Sequence, residues 1–261
     1  MPIVKRKAAK SKPKEEFEVW PASPELCVQV REKAGNRVAL GFSCGKDAIG
    51  AWIQLRRFFD VAPVYREVVP GLGFVEQSLQ MYEEKLGAKV IRIPGERWIH
   101  SIAARHYQPP HRTFEMLEMQ IHREVDLNMA ADAALQKAGL DPATGWWADG
   151  WRRSDSMARA LQLKKKGPVK WEHRYFSPVY DWSDTKLEQE IRDAGVPLPV
   201  DYVMFGRSFD FLRARFMGPI KRYYPEDWQR ILHFYPLAEV ELRRYEQAHG
   251  PQTWKSPFLD Y

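Results

Sequence analysis

Cysteine is scarce: Cys27 and Cys44 are the only two in 261 residues. They permit one disulfide at most, and they exclude a multi-cysteine zinc site or an iron–sulfur cluster held by this chain alone. A reducing compartment fits. Long apolar runs are also missing, since none approaches the roughly 20 residues that span a bilayer; no membrane partner is expected. Met1 to Lys14 is basic but no apolar stretch follows it, so a secretory signal is not expected and the expected location is cytoplasmic. Excess charge is confined to one place. The formal net charge is +6, and Lys5, Arg6, Lys7, Lys10, Lys12 and Lys14 supply all of it before the first acid, Glu15. Residues 1–16 therefore read as a flexible basic tail, either solubilising or a weak tether for nucleic acid or another acidic partner.

What is present is a globular composition, 44% hydrophobic and 28% charged, in a chain long enough to bury a core without staples. No internal repeat and no Ser/Gly-rich linker divides it. Val38 to Phe42 has the length and polar bounds of a buried strand. A nearly all-round apolar helix follows over Asp47 to Phe59, then a strand over Val61 to Val69. The spacing Val75, Leu79, Tyr82, Leu86 is helical, and Lys89 to Ile93 is a third strand. Such alternation predicts an α/β fold, a parallel sheet flanked by helices, with the ligand site at the carboxyl ends of the strands. His100 to Leu140 reads as a helical insertion and Trp146 to Asp149 as a fourth strand. A basic helix from Ser154 to Lys166, an extended piece at Arg174 to Phe176 and a helix from Asp184 to Ala194 complete a domain over 17–204. Residues 205–261 read as a helical, aromatic-rich C-terminal extension.

The strongest local pattern is Phe42-Ser43-Cys44-Gly45-Lys46-Asp47-Ala48, between the first strand and the first helix. A turn feeding a helix N-terminus offers backbone N–H groups and the positive end of the helix dipole to a phosphate. Ser43 adds a hydroxyl, Gly45 permits close backbone approach and Lys46 supplies a mobile charge. Asp47 is expected to face solvent and to hold a magnesium ion or cap the helix. A Walker loop is excluded by Leu40 and Asp47, and the three spaced glycines of a dinucleotide loop are absent.

The loop resembles the Ser-Gly-Gly-x-Asp-Ser PP-loop of the adenine nucleotide α-hydrolase-like superfamily at Ser43, Gly45 and Asp47, and departs from it at Cys44 and Ala48. Gly150-Trp151-Arg152-Arg153-Ser154-Asp155-Ser156-Met157-Ala158-Arg159 is similar to the Gly-x-Arg-Arg-x-x-Ser-x-x-Arg segment of the phosphoadenosine phosphosulfate reductase family within that superfamily. Ser177 to Asp184 looks like the family's Ser-Pro-x-x-x-Trp-Ser stretch, and Tyr202 matches a tyrosine beyond it. The resemblance spans Val38 to Tyr202. It implies ATP or a related adenine nucleotide, with magnesium on Asp47, bound through Ser43, Cys44, Gly45, Lys46, Asp47, Arg152, Arg153, Ser156 and Arg159. Lys46, Arg152 and Arg153 are the implied catalytic residues, steadying charge while an acceptor attacks the α-phosphate and pyrophosphate leaves. Val64-Tyr65 and Val68 to Gly73 match the family's adenosine-side wall by position.

The thioredoxin-linked reductases of the family use a cysteine near the C-terminus, and no cysteine follows Cys44, so that reaction is not expected. Cys44 lies beside Lys46 at a helix N-terminus, a setting that lowers a thiol pKa. His100, His106, His111 and His122, near Glu115, Glu118 and Glu124, have no recognisable metal-ligand spacing. Two other functions stay open: a sulfur-transfer or sensing protein for adenylyl sulfate or a related nucleotide, and a nucleic-acid-associated module using the tail and the cation–aromatic mixture from Arg213 to Tyr224.

Overall fold

The computed structural model describes residues 19–118, 127–250 and 254. The chain opens with α1 (Ser23–Ala34), then β1 (Arg37–Gly41), α2 (Lys46–Leu55), β2 (Asp60–Glu67), α3 (Gly73–Leu86) and β3 (Ile91–Pro94). Three helices, α4 (Glu96–Ala103), α5 (Pro110–Glu118) and α6 (Leu127–Lys137), occupy the region between β3 and β4 (Trp147–Ala148). After α7 (Met157–Lys166) come β5 (Val169–Lys170), β6 (Tyr175–Phe176), α8 (Asp184–Asp193) and α9 (Val200–Phe205). The C-terminal part is α10 (Ala214–Tyr223), α11 (Pro225–Phe234) and α12 (Ala238–His249).

The six strands form one sheet in the order β3-β2-β1-β4-β6-β5. All pairings are parallel except β5 with β6. The expected parallel sheet flanked by helices is present, with one antiparallel edge pair that the sequence did not announce. Only the short helical turn Trp171–His173 and Arg174 separate β5 from β6, too little chain for a crossover, so the chain doubles back. A two-residue strand also has no periodicity for a sequence reading to detect.

Val38, Ala39 and Leu40 of the central strand are all fully buried, as expected where helices cover both sheet faces. Alternate residues serve different layers. Val38 and Leu40 join the main core with Ile49 and Trp52 of α2 and Leu187 of α8. Ala39 packs in a second cluster with Val64, Ile93 and Ala134 and Leu135 of α6. The insertion thus supplies the second covering layer.

Two helix starts are capped from far along the chain. The Asp227 carboxylate on α11 accepts from the backbone N–H groups of Gly73 (2.6 Å) and Phe74 (3.0 Å), opening α3. Asp181 accepts from the Ser23 backbone N–H (3.1 Å) and hydroxyl, opening α1. Each cap satisfies donors that a helix cannot pair internally. Phe216, Met217, Ile220 and Trp228 of the C-terminal helices belong to the same main core as the sheet. Among the described residues, no helix is long and apolar enough to cross a membrane. The basic tail, His122 and Glu124 lie outside them.

Candidate functional site

β1 and β4 are neighbours, yet the connections leave them in opposite directions across the sheet. That reversal opens a crevice at the strands' carboxyl edge, the usual ligand position in open α/β sheets. A cleft of about 530 Å³ lies there. Its lining runs from Gly41, Phe42 and Ser43 after β1 to Val64, Tyr65 and Glu67 of β2, Gly95 after β3 and Asp149 after β4. The segment from Arg207 to Asp210, between α9 and α10, closes one side.

The loop between β1 and α2 is shaped by Cys44, whose φ of +57° is left-handed. Glycine takes that conformation freely, whereas another residue bears a cost of about 1–2 kcal/mol. A backbone requirement therefore explains the glycine of the resembled motif. The Cys44 side chain turns inward and is buried. Burial, and then the charge of Asp201, push its thiol well above the ordinary range. This corrects the expectation of a lowered thiol: desolvation outweighs the helix terminus and Lys46. Gly45 is tight, since a Cβ there would stand 3.3 Å from the Ser43 Oγ and 3.5 Å from the Ser208 Oγ. The hydroxyl of Tyr202 accepts from the Lys46 backbone N–H at 3.1 Å.

Asp47 does not face solvent alone, as the sequence suggested; it belongs to an ion cluster beneath the loop. Its Oδ1 accepts from Arg152 Nε at 2.7 Å. The Arg152 side chain is fully buried and spends further donors on Ser154 Oγ (2.5 Å), the Trp182 carbonyl (3.2 Å) and Asp184 Oδ1 (2.9 Å). Lys46 Nζ reaches the same Asp184 oxygen at 3.4 Å. The hydrogen bond from Arg152, with the nearby Lys46 charge, holds the Asp184 carboxyl below its ordinary range. Gly150 makes this join feasible: a Cβ there would lie 2.6 Å from the carbonyl of Asp47. The two motifs meet at one sheet edge, backbone against backbone.

The remaining expected residues separate. Arg153 is exposed, with its guanidinium over the Tyr180 ring at 5.3 Å. Ser156 caps α7, accepting from the Arg159 backbone N–H at 3.2 Å. Arg159 lines the cleft, paired with Asp155 and lying over Trp151 at 5.1 Å. Of the expected set, Ser43 and Arg159 line the cleft, whereas Lys46, Asp47 and Arg152 support its loop. Val64, Tyr65 and Val68 of the suggested adenosine wall also line it.

Sequence reasoning missed Asp149, Asp184 as a partner of Arg152, and the polar groups contributed by Arg66, Arg97, Arg207 and Asp210. Asp149 accepts from Tyr175 Oη, from Ser177 Oγ (2.7 Å) and from the Trp151 N–H (3.0 Å). Burial nevertheless raises its carboxyl pKa, and burial likewise raises that of Glu67. A lone acid at the end of an apolar strand was the only available signal for Asp149; the others had none.

Among the described residues, no group of three or more His, Cys, Asp or Glu gathers as a metal cage. Asp47 offers one carboxylate oxygen beyond that held by Arg152. Such a donor set suits a magnesium ion arriving on a ligand's phosphates rather than a protein-resident one.

No known family profile matches the sequence. No curated protein matches it either. Solved structures similar to this one include phosphoadenylyl-sulfate (PAPS) reductase from Candida auris in a phosphate complex. That likeness has 11% identity and a TM-score of 0.43, covering 69% of this chain and 83% of the other. Another is the NH3-dependent NAD synthetase from Campylobacter jejuni subsp. jejuni NCTC 11168 in complex with the nitrate ion, at 11% identity and a TM-score of 0.42, covering 88% of this chain and 96% of the other.

Proposed function

We propose that this chain is an enzyme that binds ATP in the cleft at the β1/β4 reversal and catalyses attack of an acceptor on the α-phosphate, with release of pyrophosphate. One observation carries the reading: the Ser43 to Asp47 loop joins a central parallel strand to a helix N-terminus at the edge of the cleft of about 530 Å³. Ser43 and the start of α2 receive the phosphates, and Arg159 supplies a planar donor from the β4 side. Lys46 is tied to Asp184 only at 3.4 Å, so its ammonium is available to exchange onto the leaving pyrophosphate. Arg152 acts as a positioning residue, fixing Asp47 and hence the loop. Arg153, exposed beside Tyr180, would assist only by reaching inward. A magnesium ion, when bound, would neutralise phosphate charge with Asp47 as its protein ligand.

No protein nucleophile is required for this chemistry. The buried, protonated thiol of Cys44 is unsuited to that role. Isotope-traced incubation with ATP and magnesium tests the reading. AMP or an adenylylated acceptor with pyrophosphate is expected, and Lys46→Gln should lower the rate by about a hundred- to a thousandfold. Release of ADP and phosphate, or no measurable affinity for any adenine nucleotide, would overturn it.

A further inference from the structure

The cleft has a second concentration of positive charge on the side away from β4. Arg97 projects from the start of α4, and Arg207 and Asp210 come from the segment between α9 and α10; all three line the cleft. The single Asp210 carboxylate faces three guanidinium groups. Its Oδ2 stands 3.4 Å from Arg207, 3.8 Å from Arg97 and 4.0 Å from Arg213. A saturated arginine–carboxylate pair closes to about 2.7–2.9 Å. These three contacts are longer, and one negative charge confronts three positive ones. The neighbouring Glu96 does not correct the imbalance, because it pairs with Arg66 at 3.3 Å. The other oxygen, Asp210 Oδ1, is buried without a hydrogen-bond partner.

The arrangement is held from behind. Phe209, between Arg207 and Asp210, is buried against Phe74, Phe205 and Phe216. Its backbone N–H donates to Asp201 at 2.8 Å. The Arg97 Nη1 also donates to the Asp210 carbonyl at 2.7 Å. Arg97, fixed by this bond, loses less freedom on binding a ligand, and the planar forks of both arginines match phosphate or carboxylate oxygens. β3, which leads to Arg97, lies two strands from β1, about 10 Å at ordinary strand spacing. Arg97 is thereby set apart from the loop after β1, whereas Ser208, next to Arg207, approaches Gly45 of that loop, so the subsite adjoins the loop and extends away from it along the cleft.

We propose that Arg97 and Arg207, oriented by Asp210, form a subsite for the anionic group, phosphate or carboxylate, of a second small substrate. It rests on the nucleotide reading above and names the acceptor's chemical class: an acidic small molecule whose charged end is anchored here and whose reactive end points toward the loop.

The test is calorimetry on the full chain saturated with α,β-methylene-ATP, titrating inorganic phosphate in one arm and citrate in the other. The wild type should bind at least one anion, and the tighter arm distinguishes a phosphate from a carboxylate. The double variant Arg97→Gln, Arg207→Gln should weaken that binding at least tenfold while keeping the analogue's affinity within twofold. Both arginines are about half exposed, so folding should be retained; circular dichroism and a melting curve check this. Lys46→Gln should show the reverse pattern. Unchanged anion binding in the double variant, or no binding in the wild type, overturns the subsite. Equal loss of analogue affinity also overturns it, since the arginines would then hold the nucleotide itself. If the analogue fails to bind the wild type but anion binding still requires both arginines, the nucleotide reading falls and the subsite stands.

Discussion

Arg152 shows how one side chain can matter to a site without touching the cleft. Four hydrogen bonds join it to Asp47, Ser154, the Trp182 carbonyl and Asp184. Arg152→Leu takes from Asp47 its partner and leaves Asp184 only the long contact to Lys46, while Ser154 still donates to the Trp182 carbonyl at 3.0 Å; Asp47 and Asp184 are exposed enough for water to recover part of the loss. The expected destabilisation is about 2–4 kcal/mol by urea unfolding. Arg152→Lys should recover little, because one ammonium cannot reproduce a planar fork between two carboxylates. Retention of full stability by either variant would remove the cluster's structural role. The cysteines make a second prediction at this scale. Burial pushes Cys27 up to about 12 and Cys44 well above its ordinary range. Both thiols should resist a disulfide reagent such as Ellman's reagent at pH 8 and react promptly in denaturant; rapid labelling of Cys44 in the native protein would contradict its inward orientation.

Between elements, Asp201 links α9 to the cleft segment through the Phe209 N–H. Burial raises its carboxyl pKa to about 6. The folded state therefore favours the protonated acid more than the unfolded state does. This contribution to stability is complete below pH about 4 and declines as pH rises through about 6. Over that window the loss should amount to about 2–3 kcal/mol. Asp201→Asn retains an acceptor for Phe209 and should flatten this part of the stability–pH curve, measured by urea midpoints from pH 4 to 7. An unchanged slope would assign the dependence to other groups. The contacts of α3 follow the same logic of distant support. Its N-terminus is capped by Asp227, more than 150 positions later, so α3 and α11 share one set of donors and acceptors.

For the whole molecule, the net charge is concentrated at one end of the chain. Six cations precede Glu15, and the remaining residues balance. Deleting residues 1–14 should change ATP affinity by less than about twofold, measured by calorimetry. The same deletion should flatten the salt dependence of any nucleic-acid binding, by up to about 0.9 for each lost phosphate contact. Collapse of ATP affinity would show instead that the tail takes part in the nucleotide site.

The alternation of apolar strand and amphipathic helix was legible because each period is a local property of backbone geometry. It determined the parallel α/β fold and placed Ser43 to Asp47 at a strand-to-helix turn. The turn bearing Lys46 and the turn bearing Arg152 and Arg153 could be assigned to one sheet edge for the same reason. Tertiary structure alone decided what the charged side chains do. Arg152 became enclosed, Asp47 became its partner, and Cys44 turned into the core, because burial and pairing depend on residues more than 100 positions away. The same applies to Arg97, which no spacing connects to Arg207 and Asp210. Folding brings them together because Phe209 packs against α3 and α10, carrying its charged neighbours to the cleft.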